Sequence, residues 1–311
     1  MTAPTGAGAA PASAHAADAG TLWRPSAPCT PRTCVEPAAR TRALPWAVLR
    51  VTALLLLLAA GLTVRLATAP LGVRVPPGPV RHWCRWVVRA AGVRVRIDGG
   101  AVPGTGVLIV ARHVSWLDIP LLAAVRPARM LAKSEIRSWP VAGRLAALGG
   151  ALFIDRDRIR ALPGTVARIA GALRSGAAVA VFPEGSTWCG RAGGRFRRAA
   201  FQAALDAAVP VLPVRLRYRV TGGPPATLPA FVGDDTLLGS VWRVVRARGL
   251  SAEVEVRAPL VPGPTTDRRA LAGAAERAVG TPGDAVLAGE AVPAGDDVPA
   301  GDGMAHAGVT A

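Results

Sequence analysis

Two residues able to carry proton chemistry stand five positions apart in a mostly apolar stretch. They are His113 and Asp118 in Val107–Pro120, VLIVARHVSWLDIP. A neutral imidazole can take a proton from a hydroxyl, and a neighbouring carboxylate fixes its tautomer and steadies the imidazolium that forms. Backbone geometry decides whether the two can meet. On one continuous helix, residues five apart point about 140° away from each other. If the helix opens at Ser115, a good N-cap, then His113 lies in the preceding turn and Asp118 in the first helical turn, within reach of it. A second reading fits the same residues. Ser115 and Asp118 have the spacing of a capping box, in which the carboxylate only ties down the helix start. Spacing alone leaves both open.

The flanking elements suit a site. Val107–Ala111 is a short run rich in β-branched residues, as expected of a strand covered on both faces, and Trp116–Val125 continues as an apolar helix. His113 therefore follows the C-terminal end of a strand, where open α/β sheets gather their ligands. Two further loops have the same relation to a strand. Asp155 and Arg156 follow one ending at Ile154, and Pro183, Glu184 and Gly185 follow one ending at Phe182. If these strands are parallel, all three loops emerge at one edge. Arg156 offers a guanidinium that binds phosphate in two-pronged fashion, with Asp155 as its surface ion-pair partner. Gly185 allows a tight turn or close approach to a ligand.

Four blocks in order carry a resemblance: RHVSWLD (112–118), then ALFIDRDR (151–158), VFPEGST (181–187) and VPVLPVRLRY (209–218). Together they resemble the motifs of the glycerolipid acyltransferase superfamily, which includes 1-acyl-sn-glycerol-3-phosphate acyltransferases. The first motif is usually Asn-His-x-Ser-x-x-Asp, and here Arg112 replaces the Asn. The resemblance implies His113 and Asp118 as the catalytic pair, with Arg156, Glu184, Gly185 and Ser186 binding the acceptor and Lys133 in a secondary binding role. The implied reaction moves an acyl group from acyl-CoA or an acyl-carrier protein to the free hydroxyl of lysophosphatidic acid. No metal or cofactor is expected. Other acceptors remain open, a lyso-amino-acid lipid among them, because the third motif continues Ser186-Thr187-Trp188-Cys189-Gly190 where many members carry Arg. A non-catalytic membrane lipid-binding protein is the alternative of a different class.

From Val93 onward, strand and helix patterns alternate. Strands are predicted at 93–98, 107–111, 130–133, 151–154, 178–182, 211–220 and 252–257, and helices at 116–125, 140–148, 162–174, 196–208, 237–247 and from 267 to 279. The predicted fold is α/β, a mostly parallel or mixed sheet of about seven strands with helices on both faces. In 211–220, Leu212, Val214, Leu216 and Tyr218 alternate with Arg215, Arg217 and Arg219. That reads as a strand with one wet face, near a sheet edge.

The domain plan is a disordered N-terminal extension (1–42), a membrane-associated segment (43–78), an acyltransferase domain (79–279) and a disordered acidic tail (280–311). Residues 43–64 carry a single charge, Arg50, and the densest stretch, 51–64, is 14 uncharged residues. Spanning needs about 20, so crossing and re-entrant arrangements both stay open. Residues 79–92 read as a basic amphipathic helix with Trp83 and Trp86, either at the lipid headgroups or packed on the domain. The net charge of +17, from 37 basic residues of which only Lys133 is a lysine, favours an anionic membrane surface or phospholipid. No nucleic-acid module accompanies that charge, and no nucleic-acid partner is expected. Cys29, Cys34, Cys84 and Cys189 form no Cys-x-x-Cys pair, so free thiols in a reducing compartment are expected and zinc is not. The expected location is the cell membrane, with the catalytic domain on its cytoplasmic side.

Overall fold

The computed structural model describes residues 26–38, 40–73, 75–139, 142–155, 158–221 and 223–280. In chain order the elements are α1 (Pro31–Cys34), α2 (Leu44–Thr68), α3 (Pro77–Ala90), β1 (Arg94–Gly99), β2 (Val107–Val110), α4 (Asp118–Val125), β3 (Arg129–Lys133), α5 (Ala142–Leu148) and β4 (Leu152–Ile154). These are followed by α6 (Leu162–Arg174), β5 (Ala178–Val181), α7 (Ala199–Asp206), β6 (Val211–Val220), α8 (Leu237–Arg246), β7 (Leu250–Val256) and α9 (Arg268–Val279). The seven strands form one sheet in the order β1-β7-β6-β2-β5-β3-β4.

The five strands from β6 to β4 run parallel. At the other end β7 pairs antiparallel with β6, and β1 pairs parallel with β7. The mixed α/β sheet expected from the sequence is the one observed. Its centre is buried on both faces, which is why β2 and β5 read as unbroken apolar runs. Val107 and Ile109 face a core shared with Val88 of α3 and with Leu121 and Leu122 of α4. Leu108 and Val110 face the opposite core, with Ile169 and Leu173 of α6, Phe201 of α7 and Leu271 of α9. Each such side chain contributes about 1.5–3 kcal/mol by leaving water.

One expectation fails in β6. It lies third from the end of the sheet, between β7 and β2, not at an edge. Its first three residues pair with β2, whereas Val214–Val220 pairs with β7. The arginine face answers an acidic one: Arg215 stands opposite Glu255 and Arg217 opposite Glu253, and Arg219 bonds Glu253 at 3.1 Å. A charged face therefore does not mark an unpaired strand.

Helix α2 is, among the described residues, the one long and apolar enough to cross a membrane. Its packing is not that of an isolated span. Arg50 donates to the carbonyls of Val245 and Ala247 at the C-terminal end of α8, at 2.7 and 3.0 Å. Arg65 donates to Leu148 O at the end of α5, at 3.0 Å. Each guanidinium thus meets the negative end of a helix dipole. The two anchors are fifteen residues apart, about 22 Å along the helix axis. They hold α2 lengthwise against the domain while Trp46, Leu49, Leu55, Leu56 and Leu66 stay exposed. Arg50 is therefore tied to protein, not reaching for a headgroup.

Helix α3 packs on the domain through one face and leaves the other exposed. Cys84, Val87 and Val88 are buried against the domain, and Trp83 donates its indole N–H to Leu57 O of α2 at 2.9 Å. Trp86, Arg81 and Arg89 face outward. The Trp83 ring lies against Gly61, where an added Cβ would sit 2.4 Å from a ring atom. Residues 26–38, expected to be disordered, include a helical turn seated on the domain, with Cys29 buried. Residues 1–25 and 281–311 lie outside the described residues.

Gly61 and Gly78 make a matched test of the α2–α3 contact. Gly61→Val is expected to destabilise the protein by about 1–3 kcal/mol through overpacking. Gly78 in α3 has open space around it, so Gly78→Ala should raise stability by a few tenths to about 1 kcal/mol through helix propensity. Thermal unfolding of both variants in detergent checks the opposite signs.

Candidate active site

Asp118 opens α4, and its carboxylate turns back over the residues before it. Oδ2 accepts from His113 Nδ1 at 2.8 Å, from the Val114 N–H at 2.7 Å and from the Ser115 N–H at 2.8 Å. Oδ1 accepts from the Tyr218 hydroxyl on β6. The two geometries considered for Asp118 are compatible: one oxygen meets the imidazole and closes the turn. The helix begins later than the sequence suggests. Its N-cap is Leu117, and Ser115 is fully buried with its hydroxyl accepting from the Leu117 N–H at 3.3 Å. Asp118 is the first residue of α4 and ties the turn before it, because a carboxylate can serve two N–H groups and an imidazole at once.

The imidazole of His113 stacks on Phe182, ring centroids 4.0 Å apart and planes 8° from parallel. With Nδ1 given to Asp118, Nε2 is the nitrogen that remains for a substrate hydroxyl. Tyr218 is the chain's single tyrosine. Burial, and then the adjacent Asp118 charge, push its phenol well above the ordinary value, so it stays a neutral donor.

Glu184 holds the turn from the other side. Its Oε2 accepts from the His113 N–H at 3.0 Å. Its Oε1 accepts from Arg112 Nη1 at 2.6 Å and from the Gly194 N–H at 2.9 Å. The Glu184 side chain is wholly buried. Burial raises its carboxyl pKa, opposed by the His113 N–H and the Arg112 charge. Arg112 also donates to Gly194 O at 2.9 Å and Gly280 O at 3.0 Å. Gly193 makes room: a Cβ there would meet Arg112 Nη1 at 2.4 Å and Glu184 Oε1 at 2.9 Å. The resemblance implies an acceptor-binding Glu184, but its carboxylate is turned onto the protein's own backbone and onto Arg112.

The other expected site residues are placed as follows. Gly185 takes a left-handed φ of 74°, and Ser186 is half-buried beside it. Lys133 ends β3 opposite Ile154 of β4, exposed and paired with Glu135 at 3.2 Å. Asp155 pairs with Arg158 at 3.5 Å. Arg156 lies outside the described residues. Because β2, β3, β4 and β5 are parallel, the loops carrying His113, Lys133, Asp155 and Glu184 all leave the same sheet edge. Arg112 and Tyr218 escaped the sequence reading. The signals were present: an arginine where the motif has Asn, and a lone tyrosine on the inward face of β6.

The cysteines also depart from expectation. Cys29, Cys34 and Cys189 are brought together, their sulfurs all within 4.8 Å of one another. Sequence distance hid this, since α1 and the loop after β5 meet only in the fold.

Two predictions follow from the buried carboxylates. Arg112→Met leaves Glu184 buried without its cation, at a cost of about 3–5 kcal/mol at neutral pH. A carboxyl with a folded pKa above its unfolded one is stabilised as pH falls, so chemical denaturation should show a smaller loss at pH 5 than at pH 7. Tyr218→Phe removes one partner of a fully buried carboxylate and should cost about 1–3 kcal/mol. In the parent the phenol is harder to ionise folded than unfolded. Its contribution is therefore complete below the unfolded value and lost above about pH 10. Tyr218→Phe should abolish that alkaline loss, read by unfolding at pH 9 and above.

Residues 93–217 match the Acyltransferase family model. The chain is 40% identical over 201 residues to a lyso-ornithine lipid O-acyltransferase of Pseudomonas aeruginosa, covering 64% of this chain and 76% of that one. It is 36% identical over 174 residues to a 1-acyl-sn-glycerol-3-phosphate acyltransferase of Neisseria gonorrhoeae, covering 56% of this chain and 68% of the relative. The crystal structure of the 1-acyl-sn-glycerophosphate (LPA) acyltransferase of Thermotoga maritima shares the fold, with a TM-score of 0.52 at 20% identity over 66% of this chain and 76% of that one. Four ordered motifs, the matched domain and relatives of this similarity agree: the chain belongs to the glycerolipid acyltransferase superfamily and is an O-acyltransferase.

Proposed function

We propose that the protein transfers a fatty acyl group from acyl-CoA or an acyl-carrier protein to the free hydroxyl of a lysolipid, with His113 as general base. The observation that carries this reading is the 2.8 Å bond between His113 Nδ1 and Asp118. His113 Nε2 takes the hydroxyl proton as the oxygen attacks the thioester carbonyl. A tetrahedral oxyanion forms, steadied by backbone N–H groups, and collapses with loss of thiolate, which takes the proton from the imidazolium. Asp118 keeps the imidazole oriented through both steps. Ser115 is not the nucleophile, because its side chain is buried and engaged with Leu117. Glu184 and Arg112 act by fixing the His113 backbone, and Gly185 and Ser186 line the acceptor side.

Lysophosphatidic acid is the leading acceptor, with Arg156 and Lys133 as cations for its phosphate. A lyso-ornithine-type lipid is the second reading. It is supported by the 40% identity to the Pseudomonas relative and by the third-motif loop, which lacks an arginine directly after Glu184-Gly185-Ser186-Thr187.

The exposed leucines of α2 and the outward Trp86, Arg81 and Arg89 of α3 form an apolar surface with a basic edge. We propose that this surface lies in the membrane interface, α2 in plane and the catalytic domain on the cytoplasmic side. Lysolipids then reach the site without leaving the bilayer.

Detergent-solubilised protein is incubated with radiolabelled acyl-thioester and a panel containing lysophosphatidic acid and lyso-ornithine lipid. Transfer to one of them is expected, reduced about 10²–10⁴-fold or more in His113→Ala. Product with lyso-ornithine lipid alone selects the second reading. Undiminished transfer by His113→Ala refutes the mechanism, and an acyl group trapped on Ser115 replaces it with a covalent route.

A further inference from the structure

Three of the four cysteines converge although Cys29 and Cys189 are 160 positions apart in the chain. Cys29 and Cys34 bracket the single turn of α1, and Cys189 comes from the loop after β5. Cys29 and Cys189 are buried, while Cys34 is half-buried and opens one side of the group toward solvent. We propose that Cys29, Cys34 and Cys189 bind one thiophilic divalent cation of the zinc class, clamping the N-terminal segment onto the loop that supports His113.

The geometry suits a metal better than a disulfide. Zinc–thiolate bonds of about 2.3 Å in a tetrahedron place sulfurs about 3.8 Å apart. The observed separations, all within 4.8 Å, close to that with side-chain adjustments of about 1 Å. A disulfide would join two sulfurs and strand the third. Three soft thiolates select zinc over magnesium or calcium, and the open side beside Cys34 leaves the fourth position to a water. Binding exchanges three S–H bonds for three metal–sulfur bonds and releases three protons. The centre carries a net charge of −1, in a chain whose formal charge is +17. Burial first, with added contributions from the neighbouring Cys189 and Cys34 thiols, pushes the Cys29 thiol up to about 12; a bound cation reverses that by stabilising the thiolate.

The surrounding contacts give the clamp a purpose. The Trp188 N–H, adjacent to Cys189, donates to His113 O at 2.8 Å. The N-terminal segment is held further by the Glu36 N–H on Thr227 Oγ1 at 3.1 Å and by the Arg191–Glu36 ion pair. Cys29 O also approaches Gly233, where a Cβ would lie 2.9 Å from it. A metal at the three sulfurs would make this seat permanent and stiffen the turn that presents the imidazole.

The full chain is purified in detergent under reducing conditions, stripped with chelator and titrated with Co(II). The expected result is a saturable thiolate-to-cobalt charge-transfer band with the intense visible absorption of a tetrahedral centre, at one equivalent per chain and abolished by Zn(II). Cys84→Ser should leave the spectrum unchanged, since Cys84 sits in α3 away from the group. Cys34→Ser should weaken cobalt binding beyond the roughly 10–100-fold cost of disturbing an outer-shell group. The parent spectrum decides the matter even if Cys189→Ser fails to fold. Absence of a saturable cobalt band in protein whose three thiols are all reduced, as shown by alkylation after denaturation, overturns the proposal, as does a disulfide within the trio in protein isolated under reducing conditions.

Discussion

A buried carboxylate with four hydrogen-bond donors around it sets the geometry of this protein. Asp118 has no exposed surface, so every lone pair it turns inward must find a donor or cost free energy. The donors come from His113, Val114, Ser115 and Tyr218. Three lie in the turn between β2 and α4, and the fourth reaches in from β6. Moving the imidazole therefore means disturbing a backbone turn and a distant strand together. Glu184 adds a second buried carboxylate on the other flank of the same residue, compensated by Arg112. His113 is held by its ring on one side and its own N–H on the other.

The sheet exists to bring those partners together. Parallel β2 and β5 place the residues after Val110 and Val181 at one edge, so His113 can stack on Phe182 and bond Glu184. The length of β6 matters as much. Its start pairs with β2, and its continuation along β7 carries Tyr218 to Asp118. The arginine–glutamate ladder between β6 and β7 lines that extension. Outside the sheet, α2 is fixed by arginines on the C-terminal ends of two helices, which puts an apolar row on the surface without detaching it from the domain.

Much of the frame was legible in the sequence because it rests on local pattern. The seven strands and α6 were recoverable from apolar runs and helical spacing, and His113 with Asp118 from their types and position. The misses share a cause: they depend on partners remote in sequence. The wet face of 211–220 was read as an edge because only the pairing to β7 shows otherwise. Nothing local reveals that Arg112 and two backbone N–H groups already surround Glu184. Arg112 itself looked like a departure from a motif, when it is the counter-charge that lets a carboxylate be buried. The cysteine trio was invisible for the same reason, two of its members lying in a segment that composition marked as disordered. The start of α4 was misplaced by two residues because Ser115 looks like a good cap, and only the fold shows that this residue is buried in the turn before the helix.

The claim that supports all the rest is that Asp118 fixes the His113 imidazole with its proton on Nδ1, leaving Nε2 basic. Nitrogen-15 NMR of histidine-labelled protein near neutral pH reads this directly, with His113→Gln identifying the resonances. The account predicts that the neutral form of the ring carries its proton on Nδ1, with a strongly downfield proton in slow exchange from its bond to the carboxylate. A ring protonated at Nε2, or one showing no such downfield proton, would contradict it.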